Sequence, residues 1–354
     1  LTQSTVPLPV MLAADFNYVM LVAGKAAGEF LMRGFTSARD VGGPVFGLKR
    51  AIDEGILPGP RVWPAGAPIT QTSGHADFRS IHDLPRAEGD VHFSERLGAA
   101  AIADGPPEVM RRVREQLLQG ASQIKMMAGG GVASSYDPLD VTQYTEAEFR
   151  AGVEAAEAWG TYVTVHAYTP KAIQTAIRSG VKVIEHGQLA DEATAKLMAE
   201  KSIWWSLQPF LDDEDALAFP AGSVNQLKQR QMVAGTDTAY ALAKKYKIKT
   251  AFGTDTLFNA KLATRQGAQL AKLVRWYTPA QVLKMATADN GELLTLSGPR
   301  SPYEGRLGVV EESALADLLL VDGDPIANIR LIEDPAKNFV LIMKDGKVYK
   351  NLLR

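Results

Sequence analysis

Lys125, His166, His186 and Asp255 are the side chains whose types and placement could do chemistry. Each stands where an apolar stretch runs out. Ile124-Lys125-Met126-Met127 precedes the break Gly129-Gly130-Gly131, and the others sit in Val165-His166-Ala167, Glu185-His186-Gly187 and Gly253-Thr254-Asp255. A lysine alone in an apolar strand is unfavourable as a charge, so its pKa falls or it finds a partner. A depressed pKa is also what makes a lysine amine reactive. A neutral buried amine adds carbon dioxide to give a carbamate, an anionic two-oxygen ligand able to bridge two divalent cations. Two histidines at neighbouring strand ends suit zinc or a similar borderline metal. An aspartate at the last strand end could bind a metal, act as general base toward metal-bound water, or do both in turn. The reaction class is then hydrolysis of an amide or ester. Taken singly these residues are weak signals, since a lone lysine snorkels to a strand end and a lone histidine is more often a core residue. The ordered set Lys, His, His, Asp on successive strands is much harder to obtain by accident.

The elements that must position this set alternate. Helix is expected over 12–34, strand over 35–41, helix to about 54, and an irregular strand over 61–69 that carries Pro64 and Pro68. Residues 70–105 read as a long polar loop holding His75, His82 and His92, and loops of that length are usually functional or disordered. From residue 106 onward, helices near 106–120, 145–159, 170–179, 191–201 and 222–246 each lead into a strand, near 123, 162, 183, 203 and 249. Thr145 followed by Glu148 marks a capping box. Strands alternating with helices of this length predict a parallel sheet with right-handed crossovers.

Seven such strands are visible, one short of a (β/α)8 barrel, whose functional residues sit at the C-terminal strand ends. A doubly wound open sheet is the weaker alternative, because the reactive residues spread over four strands and do not cluster at one switch point. Beyond Gly298 the pattern changes to short strands, 316–321 and 339–344, with an Asp345-Gly346 hairpin turn into 347–349. The expected division is a barrel over 1–298 and, over 299–354, the C-terminal strands of a small β-sandwich.

Length and composition fit this plan. The chain has 354 residues, ordinary globular composition and a net charge of −2, which gives no broad pull toward nucleic acid or acidic lipid. No apolar run reaches the roughly 18 to 20 residues of a membrane span. There is no cysteine, so disulfides, thiolate metal sites and thiol nucleophiles are excluded together, and any metal must be held by histidine, carboxylate or modified lysine. A soluble protein is expected, with cytoplasm or periplasm left open.

The chain resembles the amidohydrolase superfamily, in its prolidase-like and imidazolonepropionase-like branch of metal-dependent hydrolases. The matching stretches are Gly34–Gly43, Thr72-Ser73-Gly74-His75, Ile124-Lys125 with Gly129-Gly130-Gly131-Val132, Val165–Pro170, Ile184-Glu185-His186-Gly187, Phe252-Gly253-Thr254-Asp255 and Ala316–Pro325. The resemblance implies two divalent metals, zinc by expectation, bridged by carboxylated Lys125. It puts His166 and His186 on the more exposed metal and Asp255 on the buried one as proton shuttle. It also implies that His75 polarises the scissile carbonyl and that Tyr168 contacts a substrate carboxylate.

One motif departs. The family's first strand ends in His-x-His, and both histidines bind the buried metal, whereas this sequence contains no His-x-His and its five histidines all fall later. The expectation is that the first sandwich strands, the first barrel strand and this motif precede Leu1 or belong to a separate N-terminal fragment. The function implied is a dipeptidase-like metalloprotease, cleaving the amide of an Xaa-Pro-like dipeptide or an N-acyl amino acid. The alternatives are a cyclic amide or lactone hydrolase or, without His-x-His, a non-catalytic binding protein. A homo-oligomer is expected. Gly129-Gly130-Gly131 lacks the Gly-Lys-Ser/Thr of a phosphate loop and reads as a turn that lets backbone approach the site. Arg39-Asp40 reads as a structural ion pair, and His82 and His92 as solvated loop histidines.

Overall fold

A computed structural model describes residues 1–87, 89–134 and 136–353. Seven parallel strands pair in the order Ala101–Ile102, Ile69–Thr70, Ile124–Met127, Val163–Ala167, Val183–His186, Trp204–Leu207 and Thr250–Phe252. A second parallel pair, Ser37–Asp40 with Arg61–Pro64, stands beside them. It is stitched to the larger sheet through Gln123, whose side-chain amide donates to the carbonyls of Trp63 (2.9 Å) and Asp40 (3.3 Å). Helices follow the strands, as the alternation requires for a barrel-type (β/α) fold. The strands are buried on both faces and therefore read as continuous apolar runs. Leu318–Val321, Phe339–Lys344 and Lys347–Asn351 form a separate antiparallel sheet with Phe339–Lys344 in the middle. It docks through Phe339 and Leu319 against Gly34 and through Lys344 Nζ, which donates to the Gly59 carbonyl at 2.8 Å.

Several boundaries differ from the periodicity, each for a local reason. The first helix divides into Leu8–Ala13 and Phe16–Met32, because Asp15 caps the second by accepting from the Tyr18 N–H (3.1 Å). The strand over 61–69 divides at Pro64, where Gly66 takes φ of 75° before Ile69–Thr70 resumes. The stretch 70–105 is not a featureless loop. It contains the short helix Phe93–Arg96 and the strand Ala101–Ile102, which pairs parallel to Ile69–Thr70. The expected capping box is present, with the Thr145 side chain accepting from the Glu148 N–H (3.4 Å) and Glu148 from the Thr145 N–H (2.8 Å).

Close approach sets where the longest helix, Val224–Lys245, lies. A methyl at Gly235 would sit 2.0 Å from the Gln188 carbonyl oxygen, on the turn that follows His186. Nothing lies within 4 Å of a methyl placed at Gly47 in the helix Phe46–Asp53. Alanine is the better helix former by about 1 kcal/mol at an open position, whereas overpacking costs about 1–3 kcal/mol. Gly235→Ala is therefore expected to lower the denaturant midpoint and Gly47→Ala to hold or raise it. Equal shifts in the two variants would show that the 188–235 contact does not set the helix position.

Candidate active site

A cavity of about 720 Å³ opens at the C-terminal ends of the strands, and Lys125, His166, His186, Asp255 and His75 all line it. Register explains part of this convergence. Met127 lies opposite His166, His166 opposite Glu185, and Ala167 opposite His186. Adjacent strand residues point to opposite faces, so Glu185 and His186 would ordinarily be separated. His186 instead takes φ of 73°, which turns its ring to the cavity side, where Glu185 already is. Asp255 is likewise left-handed, with φ of 47°, and so are Ser73 and Ala76 on either side of His75, with φ of 62° and 72°. Such non-glycine residues cost about 1–3 kcal/mol each and cluster at functional sites.

The three imidazoles form a row. The His75 ring stacks on His166 at 4.1 Å between centroids, and His166 meets His186 edge-on at 4.6 Å. Burial, together with the neighbouring His75, His186 and Lys125, pushes His166 well below the ordinary histidine value. Burial and Lys125 push His186 down to about 3. Both rings are therefore neutral, and their hydrogen bonds fix the tautomers. His166 Nε2 donates to the Gly130 carbonyl (3.1 Å), leaving the Nδ1 lone pair free. His186 Nδ1 donates to Gln208 Oε1 (2.8 Å), leaving Nε2 free. Each histidine thus offers one unprotonated nitrogen, which is what a metal requires.

Lys125 makes no hydrogen bond or ion pair among the described residues, and burial pushes its pKa below the ordinary lysine value. The Glu185 and Asp255 charges oppose that fall, and Arg39 adds to it. Asp255 is pushed up to about 7, first by burial within the cavity and then by Glu185, with Lys125 opposing. Its side chain keeps 29 % exposure, directed into the cavity, and one oxygen stands 3.9 Å from His186 Nδ1.

Arg39 and Asp40 do not pair with each other, in contrast to the reading of the sequence. Arg39 crosses the interior to Glu185 (2.7 Å), while Asp40 accepts from the Gly42 N–H. The reason is alternation along a strand, which puts neighbours on opposite faces. Tyr168 is not among the residues lining the cavity. Its ring packs behind the histidines, 4.9 Å from His166 and 5.4 Å from His186, in a cluster with Val132, Leu139 and Met232. His92 caps the helix Phe93–Arg96, and His82 lies in the 3-10 turn Ile81–Asp83. Gln208, Arg39, Glu185 and Asp137, whose Oδ2 lies 3.1 Å from His75 Nδ1, are the partners whose contacts sequence reasoning missed. Glu185 and Arg39 had a signal in their strand-end stretches and Gln208 in its place just beyond the strand Trp204–Leu207, but nothing in the sequence pairs them with their partners.

Among the described residues no three His, Cys, Asp or Glu side chains group closely enough to hold a metal ion by themselves. The two free imidazole nitrogens fit a divalent metal, but the donor set is one anion short, and Lys125 is the amine beside it.

A model of the amidohydrolase family matches residues 6–351. The ochratoxinase of Aspergillus niger is 32% identical over 332 residues, covering 91% of this chain and 67% of its own. A crystal structure of an amidohydrolase is 36% identical, covers 100% of this chain and 84% of its own, and superposes with a TM-score of 0.89. A prolidase complexed with N-methylphosphonate-L-proline is 33% identical, covers 99% and 84% respectively, and has a TM-score of 0.87.

Glu185 supplies a pH test of the buried charge. Burial would raise its pKa, but Arg39, Lys125 and hydrogen bonds from Thr164 and Ser206 outweigh burial and hold it at about 2, against an ordinary 4.5. A carboxylate whose pKa is depressed on folding stabilises the protein above its unfolded value, and that contribution is lost as pH falls through the folded value. The stability gap between wild type and Glu185→Gln is expected to be widest above about pH 4.5 and to shrink toward pH 2. Acid titration of unfolding free energies reads this, and a gap constant across the window would count against an ionised Glu185.

Proposed function

Given that the chain belongs to the amidohydrolase family, and so is a hydrolase acting on carbon–nitrogen bonds, we propose that it cleaves the amide of an Xaa-Pro-like dipeptide or an N-acyl amino acid. The observation that carries this reading is the convergence on one cavity of four groups of the kinds that metal-assisted hydrolysis uses. These are two neutral histidines with one free nitrogen each, a lysine with depressed pKa, and an aspartic acid with a pKa near 7. The similarity to a prolidase solved with N-methylphosphonate-L-proline supports the substrate class, as does the similarity to ochratoxinase.

In this reading His166, His186 and a carbamate formed on Lys125 would hold divalent metal, with Asp255 as a further ligand. The carbamate would form when the Lys125 amine, in its unprotonated form, attacks carbon dioxide and releases one proton, and it would supply the anion that the donor set lacks. Bound metal, zinc by the softness of these ligands, supplies Lewis acidity and a water that ionises near neutral pH. Asp255, whose side chain faces the cavity, would take a proton from the attacking water and return it to the leaving amine, the double role of a general acid–base. His75 Nε2 faces the scissile carbonyl oxygen. Tyr168 is assigned to the substrate carboxylate, which requires its ring to turn out from behind the histidines.

The test is a panel of Xaa-Pro dipeptides, N-acyl amino acids, cyclic amides and lactones assayed on the full-length protein, with metal content measured on the same samples. Expected are bound zinc, hydrolysis of the first two classes, loss of activity on chelation, and recovery when zinc is returned. Lys125→Ala and Asp255→Ala should each lower kcat/KM on the order of a thousandfold or more, as loss of a member of a cooperating set does. Full activity in either variant would sink the assignment. Turnover of cyclic amides or lactones alone would move the substrate class. Metal-free protein that hydrolyses no panel member would make it a binding protein.

A further inference from the structure

One side of the cavity is apolar, and it is built from two turns that leave the reactive strand ends. Phe78 stands three residues beyond His75, and Phe258 three residues beyond Asp255. Both rings line the cavity, both are half-buried, and they meet edge-on with centroids 6.2 Å apart. Behind them Met11, Val19 and Ala99 belong to an apolar cluster against which both rings pack. Leu8 and Leu12, one turn apart on the helix Leu8–Ala13, line the same cavity. Phe258 holds its place at a cost. Its φ is 54°, a left-handed backbone that a bulky side chain rarely adopts. Its N–H donates to the Gln3 carbonyl at 2.8 Å, and Gln3 is itself fixed, because its buried amide donates to the Ala99 carbonyl at 2.9 Å. The charges beside Phe78 cancel, since Arg79 Nε and Nη2 donate to the two Asp77 oxygens at 2.9 and 2.7 Å.

From this wall we infer that the acyl half of the substrate carries a large uncharged apolar group, aromatic by preference, and that Phe78 and Phe258 set that selectivity. The inference rests on the reading of the cavity as an amide hydrolase site and names the substrate within it. The two sides of the cavity differ in kind. Tyr168, assigned to the carboxylate of the leaving amino acid, packs behind His166 and His186, whereas the aromatic wall follows His75 and Asp255. An amide held at the reactive groups with its carboxylate toward Tyr168 therefore directs its acyl group to the wall. Water against half-exposed apolar side chains is favourably displaced by an apolar group. A charged group there would lose its hydration and gain no partner, because Asp77 and Arg79 already satisfy each other. An edge-on aromatic pair also accepts a third ring in the tilted geometry that aromatic groups favour. The volume agrees, since about 720 Å³ lies in the range that encloses a drug-sized ligand and exceeds what a dipeptide of two small residues fills.

The experiment has two readouts on the full-length protein. One is kcat/KM for the dipeptides Phe-Pro, Leu-Pro, Gly-Pro, Glu-Pro and Lys-Pro. The other is calorimetric binding of N-methylphosphonate-L-proline against N-benzylphosphonate-L-proline, which differs by one phenyl ring. Wild type should prefer Phe-Pro to Gly-Pro on the order of a hundredfold, turn over Glu-Pro and Lys-Pro slowest, and bind the benzyl analogue at least about tenfold more tightly than the methyl one. Phe78→Ala and Phe258→Ala should each shrink both ratios by about tenfold, and Phe78→Leu should keep most of the preference. A ratio between two substrates of one variant does not depend on how much of that variant is folded. Equal kcat/KM for Phe-Pro and Gly-Pro would overturn the inference and leave the hydrolase reading standing. Hydrolysis of no dipeptide, with the benzyl analogue preferred and that preference lost in the alanine variants, would overturn the hydrolase reading and leave the apolar subsite standing. Equal binding of the two analogues, no binding of either, or ratios unchanged in both alanine variants would overturn the inference.

Discussion

A buried carboxylate governs the interior of this protein. Glu185 sits within the sheet at 3 % exposure, and taking such a charge out of water costs several kcal/mol after relaxation. Arg39 reaches it across the interior, and Thr164 donates to it at 2.5 Å, so it stays ionised. Its charge acts on both groups that the proposed chemistry needs tuned, since it raises Asp255 and opposes the fall of Lys125. The cavity is therefore a balance of charges. If Lys125 becomes a carbamate, an amine is replaced by an anion beside Glu185 and Asp255. Arg39 is already committed to Glu185, so the added negative charge calls for cations from outside the chain. In the proposed function, metal binding and lysine modification would then be two halves of one electrostatic requirement.

The sheet was legible because parallel strands buried on both faces leave continuous apolar runs, and the helices between them leave a clear period. The strand ends carrying Lys125, His166 and His186 were found in the right place by that logic alone. What could not be read was set by tertiary contacts. Arg39 beside Asp40 looks like an ion pair in one dimension, but strand neighbours point apart, and only the closing of the sheet brings Arg39 to Glu185. The strand Ala101–Ile102 is two residues long and exists because Ile69–Thr70 offers an edge, so no period could announce it. Asp137 follows the Gly129–Val132 motif by five residues and Lys228, which donates to the Asp137 carbonyl, lies far from every motif, but neither has a pattern of its own. Their roles come from a helix and a loop meeting, and the helix lies where glycine at 235 lets it lie.

Backbone strain is the last link between fold and site. A regular strand end cannot put two consecutive side chains on one face, yet Glu185 and His186 both line the cavity. Left-handed geometry at His186 resolves that conflict, at a cost a glycine would not incur, and Gly187 follows with φ of 74°. The turn is held by what surrounds it. Trp205 Nε1 donates to the His186 carbonyl (2.7 Å), and its indole packs so close that a methyl at Gly187 would lie 2.6 Å from that nitrogen. Gln208 fixes the imidazole from the next strand end. The Trp205 strand therefore does more than fill the core, because it holds the conformation that presents His186. Strain retained at a single ring and supported by the neighbouring strand is what preorganisation of a ligand looks like in backbone terms.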